Sequence, residues 1–381
     1  MVFEFVLCFE FSASNFISAI VMMSNNLQIA RLSASKTLTA PSILIILMGS
    51  LGDVARGLCL VSHIKENMPR SRITWLVEPR WAELVKLNRG IDRVVIFQRA
   101  WRASAVQQLY RELRQERFDV SLDLQRILKS GFFSLLSGAR RRIGFHRRNA
   151  KEFNWIFNNE HIGYFSDDLP KIRHYLKFTE HMGLPGCTSP DFGLSSLDAD
   201  QMAPGVIRDL QHPFAAIVLG TSWESKDWHY EGYVGLIQRI LANRALKVVL
   251  LGDDSRTDMA INLIETFNTP HLISLVGQTS LPQLAAVLKA AAVGIGPDSG
   301  PGHVSAAVKT PFITLFGPTS PQRTAPFGCE QLAVKAEAEC APCYKRCCAD
   351  PNNQCMQSIH PDAVMEKVSL ALSGIKKDSR Q

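Results

Sequence analysis

The densest chemistry in this chain lies in Gly296-Pro297-Asp298-Ser299-Gly300-Pro301-Gly302-His303, a turn that follows an apolar run at 293–295. Ser299, Gly300 and Gly302 would present several backbone N–H groups at the positive start of a helix of small residues, which is how a chain cradles phosphate. His303, one turn further, can bond a phosphate oxygen or a ribose. A second segment, Gly220-Thr221-Ser222-Trp223-Glu224-Ser225-Lys226-Asp227-Trp228, sets the hydroxyls of Thr221 and Ser222 and the ammonium of Lys226 after another apolar run. Lys226 can neutralise charge building on a departing diphosphate, or it can be a solvated loop lysine. A third, Gly49-Ser50-Leu51-Gly52-Asp53, puts two glycines and a carboxylate where a helix begins. Gly52 allows close approach of a ligand, and Asp53 either caps the helix or acts on that ligand. The spacing is not G-x-G-x-x-G, so nicotinamide binding is not supported. Phe316-Gly317-Pro318-Thr319-Ser320-Pro321 repeats the strand-to-polar-loop theme and should line the same cleft.

These turns need strands that end side by side. Short β-branched runs stand at 43–47, 73–77, 94–97 and 120–122, then at 215–219, 248–251, 293–295 and 312–316. Their lack of alternation fits strands covered on both faces. Helical patterns follow at 54–66, 103–115, 168–182, 231–243, 256–267 and 282–291. This βαβα rhythm predicts an α/β fold of two Rossmann-like, doubly wound domains facing across a cleft, where ligands meet the carboxyl ends of the strands. Pro185, Pro190, Pro204 and Pro213 punctuate 183–213 as a linker. The expected organisation is an N-terminal extension at 1–40 outside the fold, a first domain at 41–200, a second at 201–359, and a C-terminal helix and tail at 360–381, the helix packing back on the first domain.

The chain has 381 residues, with 46% hydrophobic and 20% charged, the balance of a soluble globular protein. Its net charge of +7 permits an anionic partner without suggesting a nucleic-acid coat. No internal run nears the roughly 20 apolar residues of a bilayer span. The segment at 1–23 is apolar-rich, but Glu4 and Glu10 interrupt it and no basic region precedes it, a poor match to a secretory signal. It reads as an upstream start before Met22 or Met23, or as a surface anchor. Nine cysteines could suit an oxidising compartment, but five of them crowd into 340–355 and a chain with ample core needs no disulfide staples, which favours the cytoplasm.

Taken in order, G-S-L-G-D-V, S-K-D-W-x-x-E, D-S-G-P-x-H and F-G-P-T resemble the ADP-heptose:lipopolysaccharide heptosyltransferases, glycosyltransferase family nine, over about Ile43 to Val368. The stretch Asp123-Leu124-Gln125-Arg126-Ile127-Leu128-Lys129-Ser130 is similar to that of heptosyltransferase I. The resemblance implies a GT-B fold and an inverting, metal-independent transfer from ADP-heptose to the Kdo/heptose inner core of lipopolysaccharide, with no cofactor. By that likeness Asp53 is the base, Lys226 the diphosphate contact, and Asp298, Ser299, Gly300 and His303 the donor site. A carboxylate expected after the 248–251 run falls on Asp253 or Asp254, with Asp253 preferred. Two departures stand out: Ser299 replaces a usual threonine, and Arg126 occupies a position often glycine, which bears on the acceptor pocket. A family relative with another acceptor, or a non-catalytic nucleotide-sugar-binding protein, is the alternative.

From Gln125 to Lys151 there are eight Lys/Arg and no Asp or Glu. This is either a solvated loop or a site for an anionic glycolipid at the membrane surface, with Lys129 nearest the acceptor sugar. The expected place is cytoplasmic, peripheral on the inner face of the inner membrane, with no nucleic-acid partner. Cys340, Cys343, Cys347, Cys348 and Cys355 lack a second well-spaced C-x-x-C, which favours a structural thiol or disulfide role over a metal site.

Overall fold

The protein is described from a computed structural model covering residues 40–98, 103–210, 212–242, 246–350 and 352–378. The extension expected at 1–40 lies, apart from Ala40, outside the described residues. Two six-stranded parallel sheets make up the fold. In the first, β1 (Ser42–Ile46), β2 (Arg72–Val77), β3 (Arg93–Ile96), β4 (Val120–Asp123), β5 (Arg141–Gly144) and β6 (Glu160–His161) lie in the order β3-β2-β1-β4-β5-β6. Its main helices are α1 (Leu51–Asn67), α2 (Pro79–Lys86), α3 (Ala103–Leu113), α4 (Leu128–Ser137) and α5 (Lys171–His181).

The second sheet holds β7 (Phe214–Val218), β8 (Lys247–Leu251), β9 (Leu272–Ser274), β10 (Val293–Pro297), β11 (Phe312–Phe316) and β12 (Ala333–Lys335), in the order β12-β11-β10-β7-β8-β9. Around it run α6 (Tyr230–Ala242), α7 (Thr257–Phe267), α8 (Leu281–Ala290), α9 (Gly300–Ala307) and α10 (Pro361–Asp378). Strand order reverses once in each all-parallel sheet, between β1 and β4 and between β10 and β7. Ligands of open α/β sheets bind at such reversals. The turns at Gly49, Gly220 and Asp298 and the Asp123–Ser130 stretch leave strands that border these reversals, the Gly317 loop leaves β11 and Asp253 follows β8.

The expected strands and helices form within a few residues of their predicted bounds, because each is an uninterrupted apolar run or a 3.6-residue pattern. Ile43, Leu44, Ile45 and Ile46 are fully buried, which both faces of a covered sheet require. Shorter elements escape that logic. Strand β5 reads Arg-Arg-Ile-Gly and passes for a basic loop, yet it pairs with β4 and β6. The expected linker at 183–213 is tied down: Lys289 of α8 donates to the carbonyls of Ser195 (2.6 Å) and Leu197 (2.5 Å). It also contains two single helical turns, Ala199–Met202 and Gly205–Arg208.

The C-terminal helix corrects an expectation. Rather than returning to the first sheet, α10 packs on α6 and on the strands of the second. Val364 and Val368 are buried there, and Asp362 pairs with Arg239 of α6 at 2.5 Å. Val364 and Val368 bury in the second lobe the apolar face that a return to the first sheet would have used.

Candidate active site

Ser50 and Asp53 open α1 as a capping box, each side chain turned to the other's backbone N–H. The cap therefore exists, and it does not exhaust the carboxylate. Asp53 Oδ1 accepts from Arg56 Nη2 at 2.6 Å, from the Tyr175 hydroxyl at 3.0 Å and from Lys171 Nζ at 3.5 Å. Oδ2 faces Ser50 alone, at 3.1 Å from its hydroxyl and 3.4 Å from its N–H. Burial would raise the carboxyl, but Lys171, Arg56 and the Tyr175 bond together hold it far below the usual carboxylate range. Tyr175 is pushed the other way, by burial and then by the Asp53 charge, so it stays a phenol and a donor. For Lys171 the pull of Asp53 is outweighed by burial and by the Arg56 and Arg323 cations, and it falls below the ordinary lysine range.

Across the crevice, Asp298 follows β10 directly, with its side chain only 6% exposed. Its Oδ2 accepts from Lys226 Nζ at 2.8 Å, Thr319 at 2.8 Å and Thr324 at 3.2 Å. Lys226 also donates to the Asp298 carbonyl at 3.1 Å and lies 4.5 Å over the Trp223 ring. Residues from three of the predicted segments thus converge: the Lys226 loop, the Asp298 turn and Thr319. Ser299 precedes α9 as its N-cap, and its buried hydroxyl makes no hydrogen bond. The first N–H groups of α9 belong to Gly300, Gly302 and His303, because Pro301 has none.

The two helix starts touch. A Cβ on Gly52 would come within 2.8 Å of the His303 ring, and one on Gly300 within 2.6 Å of the Leu51 side chain. Arg56 spans the contact, one guanidinium nitrogen on Asp53 and the other against His303 Nε2. With an arginine N–H donating to Nε2, the ring proton must sit on Nδ1. Burial first, and then the Arg56 cation, push His303 well below the usual histidine range, so it is neutral here.

The remaining predicted residues divide. Thr221 closes its own turn, its hydroxyl donating to the Trp223 carbonyl at 2.8 Å while its N–H donates to Asp227 at 2.8 Å. Ser222 is exposed beside it. Asp253 is exposed and caps a short turn, accepting from the N–H and hydroxyl of Ser255, which is a sufficient local reason for an Asp there. Lys129 lies on α4, 3.6 Å from Glu78 and 5.2 Å over the Phe97 ring. Arg126 holds a left-handed backbone, φ +71°, the conformation a glycine would adopt freely. Its guanidinium packs 4.7 Å over Phe145 and 5.4 Å over Phe165, with Nη2 3.9 Å from Asp167 and both Nε and Nη2 making no hydrogen bond. Burial pulls it below the usual arginine range.

The basic run does not act as one patch. Arg141 grips Glu160 with two bonds of 2.8 Å, and Arg142 donates to the carbonyls of Phe157 and Ala139. Both are spent on joining β5 to its neighbours. Arg126 faces inward, while Arg147 and Arg148 are exposed. Sequence reading missed Lys171, Tyr175 and Arg323, which lie on unmarked stretches of helix or loop. Gln125, inside a recognised segment, plays an unforeseen part. It donates to the Gly49 carbonyl and accepts from the Met48 N–H, both at 2.8 Å, fixing the turn before α1.

The cysteine segment has a structural role as well. Ser225 donates its N–H to the Arg346 carbonyl at 3.1 Å and its hydroxyl to the Lys345 carbonyl at 2.6 Å. Asn353 donates to the Ser225 and Asp227 carbonyls, and the Tyr344 N–H donates to Pro318. Tyr344, Lys345, Arg346 and Asn353 thus brace the Lys226 loop and the Gly317–Thr319 loop together. All eight described cysteines are free thiols, and no group of three or more metal-ligating side chains is assembled among the described residues.

Comparison with known proteins fits this arrangement. Residues 106–353 match the model of glycosyltransferase family 9 (heptosyltransferase). The lipopolysaccharide core heptosyltransferase OpsX of Haemophilus influenzae is 27% identical over 75% of this chain and 82% of its own length. Lipopolysaccharide heptosyltransferase 1 of Pseudomonas aeruginosa is 26% identical over 80% and 87%. Among solved structures, the Veillonella parvula family 9 glycosyltransferase superposes with a TM-score of 0.73 at 18% identity, covering 90% of this chain and all of that one. The Escherichia coli heptosyltransferase WaaC with ADP-2-deoxy-2-fluoro heptose gives 0.69 at 23% identity, covering 86% and 99%. The chain belongs to glycosyltransferase family 9, and its fold is GT-B.

Proposed function

We propose that this family 9 glycosyltransferase moves heptose from ADP-heptose to the Kdo/heptose inner core of lipopolysaccharide, with inversion and without a metal or other cofactor. Its similarity to OpsX and to heptosyltransferase 1, each over three quarters of the chain or more, supports donor and acceptor class. The observation that carries the mechanism is Arg56, which joins Asp53 to His303 where the starts of α1 and α9 touch, with the Lys226–Asp298 pair at the turn just before α9. Oδ1 of Asp53 is saturated by donors, so Oδ2 is the oxygen that takes the proton of the acceptor hydroxyl. The hydroxyl oxygen attacks the anomeric carbon as the bond to the diphosphate breaks. Lys226 and the N–H groups at the start of α9 stabilise the departing diphosphate, replacing the charge a metal would supply. Thr221, Ser222, Asp253, Asp298, Ser299, Gly300 and His303 form the donor side. Gly52, Arg126 and Lys129 form the acceptor side.

No helix among the described residues is long and apolar enough to cross a membrane. The enzyme is read as cytoplasmic and peripheral on the inner face of the inner membrane, where its glycolipid acceptor stands. The test incubates the full chain with ADP-heptose and heptose-free lipopolysaccharide and compares it with Asp53→Ala. Transfer by the wild type and none by the variant is expected. Equal transfer would remove Asp53 from the mechanism, and none by the wild type would point to another acceptor, another donor or a non-catalytic protein.

A further inference from the structure

Residues 146–165 of the first lobe expose apolar surface for which the transfer reaction has no use. Phe153 is 71% exposed, Tyr164 57%, Ile156 56% and Trp155 37%. Phe153 and its neighbour Glu152 both hold left-handed backbones, φ +56° and +52°, a conformation that glycine adopts most freely. Non-glycine residues persist there only when their surroundings hold them. The holding contacts are visible: Glu152 accepts from the Leu128 N–H at 3.2 Å and the Lys151 N–H donates to the Arg126 carbonyl at 2.8 Å. Ile156 bonds back to Phe153 at 3.1 Å, and His161 ties the turn to β6 through the Trp155 carbonyl at 2.9 Å. The fold therefore keeps a phenylalanine outward in water at the cost of backbone strain.

Around this turn the charge is positive. Arg147, Arg148 and Lys151 are exposed, and Arg148 lies 5.7 Å over the Tyr164 ring. The two acids of the stretch are already engaged, Glu152 with the Leu128 N–H and Glu160 with Arg141. Exposed Phe and Ile tips, Trp and Tyr beside them and a fringe of Arg and Lys are what an anionic bilayer surface accepts: apolar tips among acyl chains, cations at the phosphates. A second copy of the chain would set Arg147, Arg148 and Lys151 against themselves, which charge repulsion disfavours.

We infer that the turn at 153–156, with Tyr164, Arg147, Arg148 and Lys151, is the surface by which this enzyme docks on an anionic lipid bilayer. The same hydrogen bonds that hold the turn run to Arg126 and Leu128, so docking sets the acceptor loop beside the membrane. A glycolipid standing in that bilayer then presents its sugar to the crevice holding Asp53. This assignment rests on the reading of the acceptor as a glycolipid, and its test needs no transfer.

The full chain is sedimented with vesicles of phosphatidylethanolamine and phosphatidylglycerol, and separately with phosphatidylcholine vesicles, without donor or acceptor. Binding to the anionic vesicles that weakens with added salt is expected. Phe153→Ser with Ile156→Ser should lower that partition by about tenfold or more, from lost apolar burial. Arg147→Ser and Arg148→Ser should each lower it by about fivefold. Transfer to a delipidated core oligosaccharide should be unchanged in all of these variants. Three results would overturn the assignment: no vesicle binding by the wild type, wild-type binding by Phe153→Ser/Ile156→Ser, or conversion of an oligomer to monomers by that pair in analytical ultracentrifugation. Intact vesicle binding with no transfer to any acceptor would instead count against the proposed reaction and leave this surface standing.

Discussion

The segment from β1 into α1 and the segment from β10 into α9 occupy matching places, each beside the crevice where its sheet reverses strand order. Both are strand, polar turn and helix, and both carry a carboxylate paired with cations, Arg56 and Lys171 at Asp53 and Lys226 at Asp298. They differ in what the carboxylate is left to do. Asp298 is 6% exposed, and its Oδ2 is shared by Lys226, Thr319 and Thr324. Asp53 is 21% exposed, its donors are gathered on Oδ1, and Oδ2 meets only Ser50. The same supersecondary device thus gives a lysine holder in one lobe and an accessible carboxylate in the other. Burial and the kind of partner, more than residue type, separate the roles.

The comparison breaks most sharply if the two acids are exchanged in function. Asp53→Asn should lower kcat by roughly 10² to 10⁴, the range for a lost general base, with ADP binding by calorimetry unchanged. A variant that keeps its kcat and loses ADP affinity would reverse the assignment of the lobes. Lys226→Met should cost roughly 10² to 10³ in kcat, as for one lost electrostatic contact to a leaving group. It should also lower the melting temperature, because Asp298 is then buried without its cation.

The pH profile sharpens the contrast further. Cations hold Asp53 below the ordinary carboxylate range, so the stability it contributes is present above that range and lost as pH falls through the lowered folded value. Lys171→Met removes one of those cations and should move the acid limb of kcat/KM to higher pH. An unmoved limb would mean that Asp53 does not set it. The smallest effect is at Arg126. Arg126→Gly should stabilise the fold by about 1 kcal/mol, by removing a left-handed non-glycine residue. It should raise the acceptor KM with the donor KM unchanged, and an unchanged acceptor KM would make Arg126 a packing residue only.

Much of this site was legible because its motifs are local. Gly49 to Asp53, Thr221 to Lys226 and Asp298 to His303 each directly follow an apolar strand, and each stands where the sequence predicts it. What stayed hidden has no local signature. Lys171 and Tyr175 sit 118 and 122 positions from Asp53, on a helix whose periodicity explains them as ordinary surface and core. The run from Arg126 to Lys151 looked uniform because composition does not distinguish arginines that pair within a sheet, such as Arg141, from those left in water, such as Arg147. The cysteine segment invited disulfide or metal readings, while its backbone carbonyls and Asn353 do the bracing.

The sequence alone determined the two doubly wound sheets, the glycine turns at the strand ends and the identity of the residues in those turns, since period and punctuation are properties of neighbours along the chain. Only the tertiary structure decided that Arg56 reaches across 247 positions to His303 while holding Asp53, that Lys226 pairs with Asp298, and that Phe153 faces water. Those outcomes depend on distances between segments remote in sequence and on which groups lose their solvent. Electrostatics in a crevice follows from both.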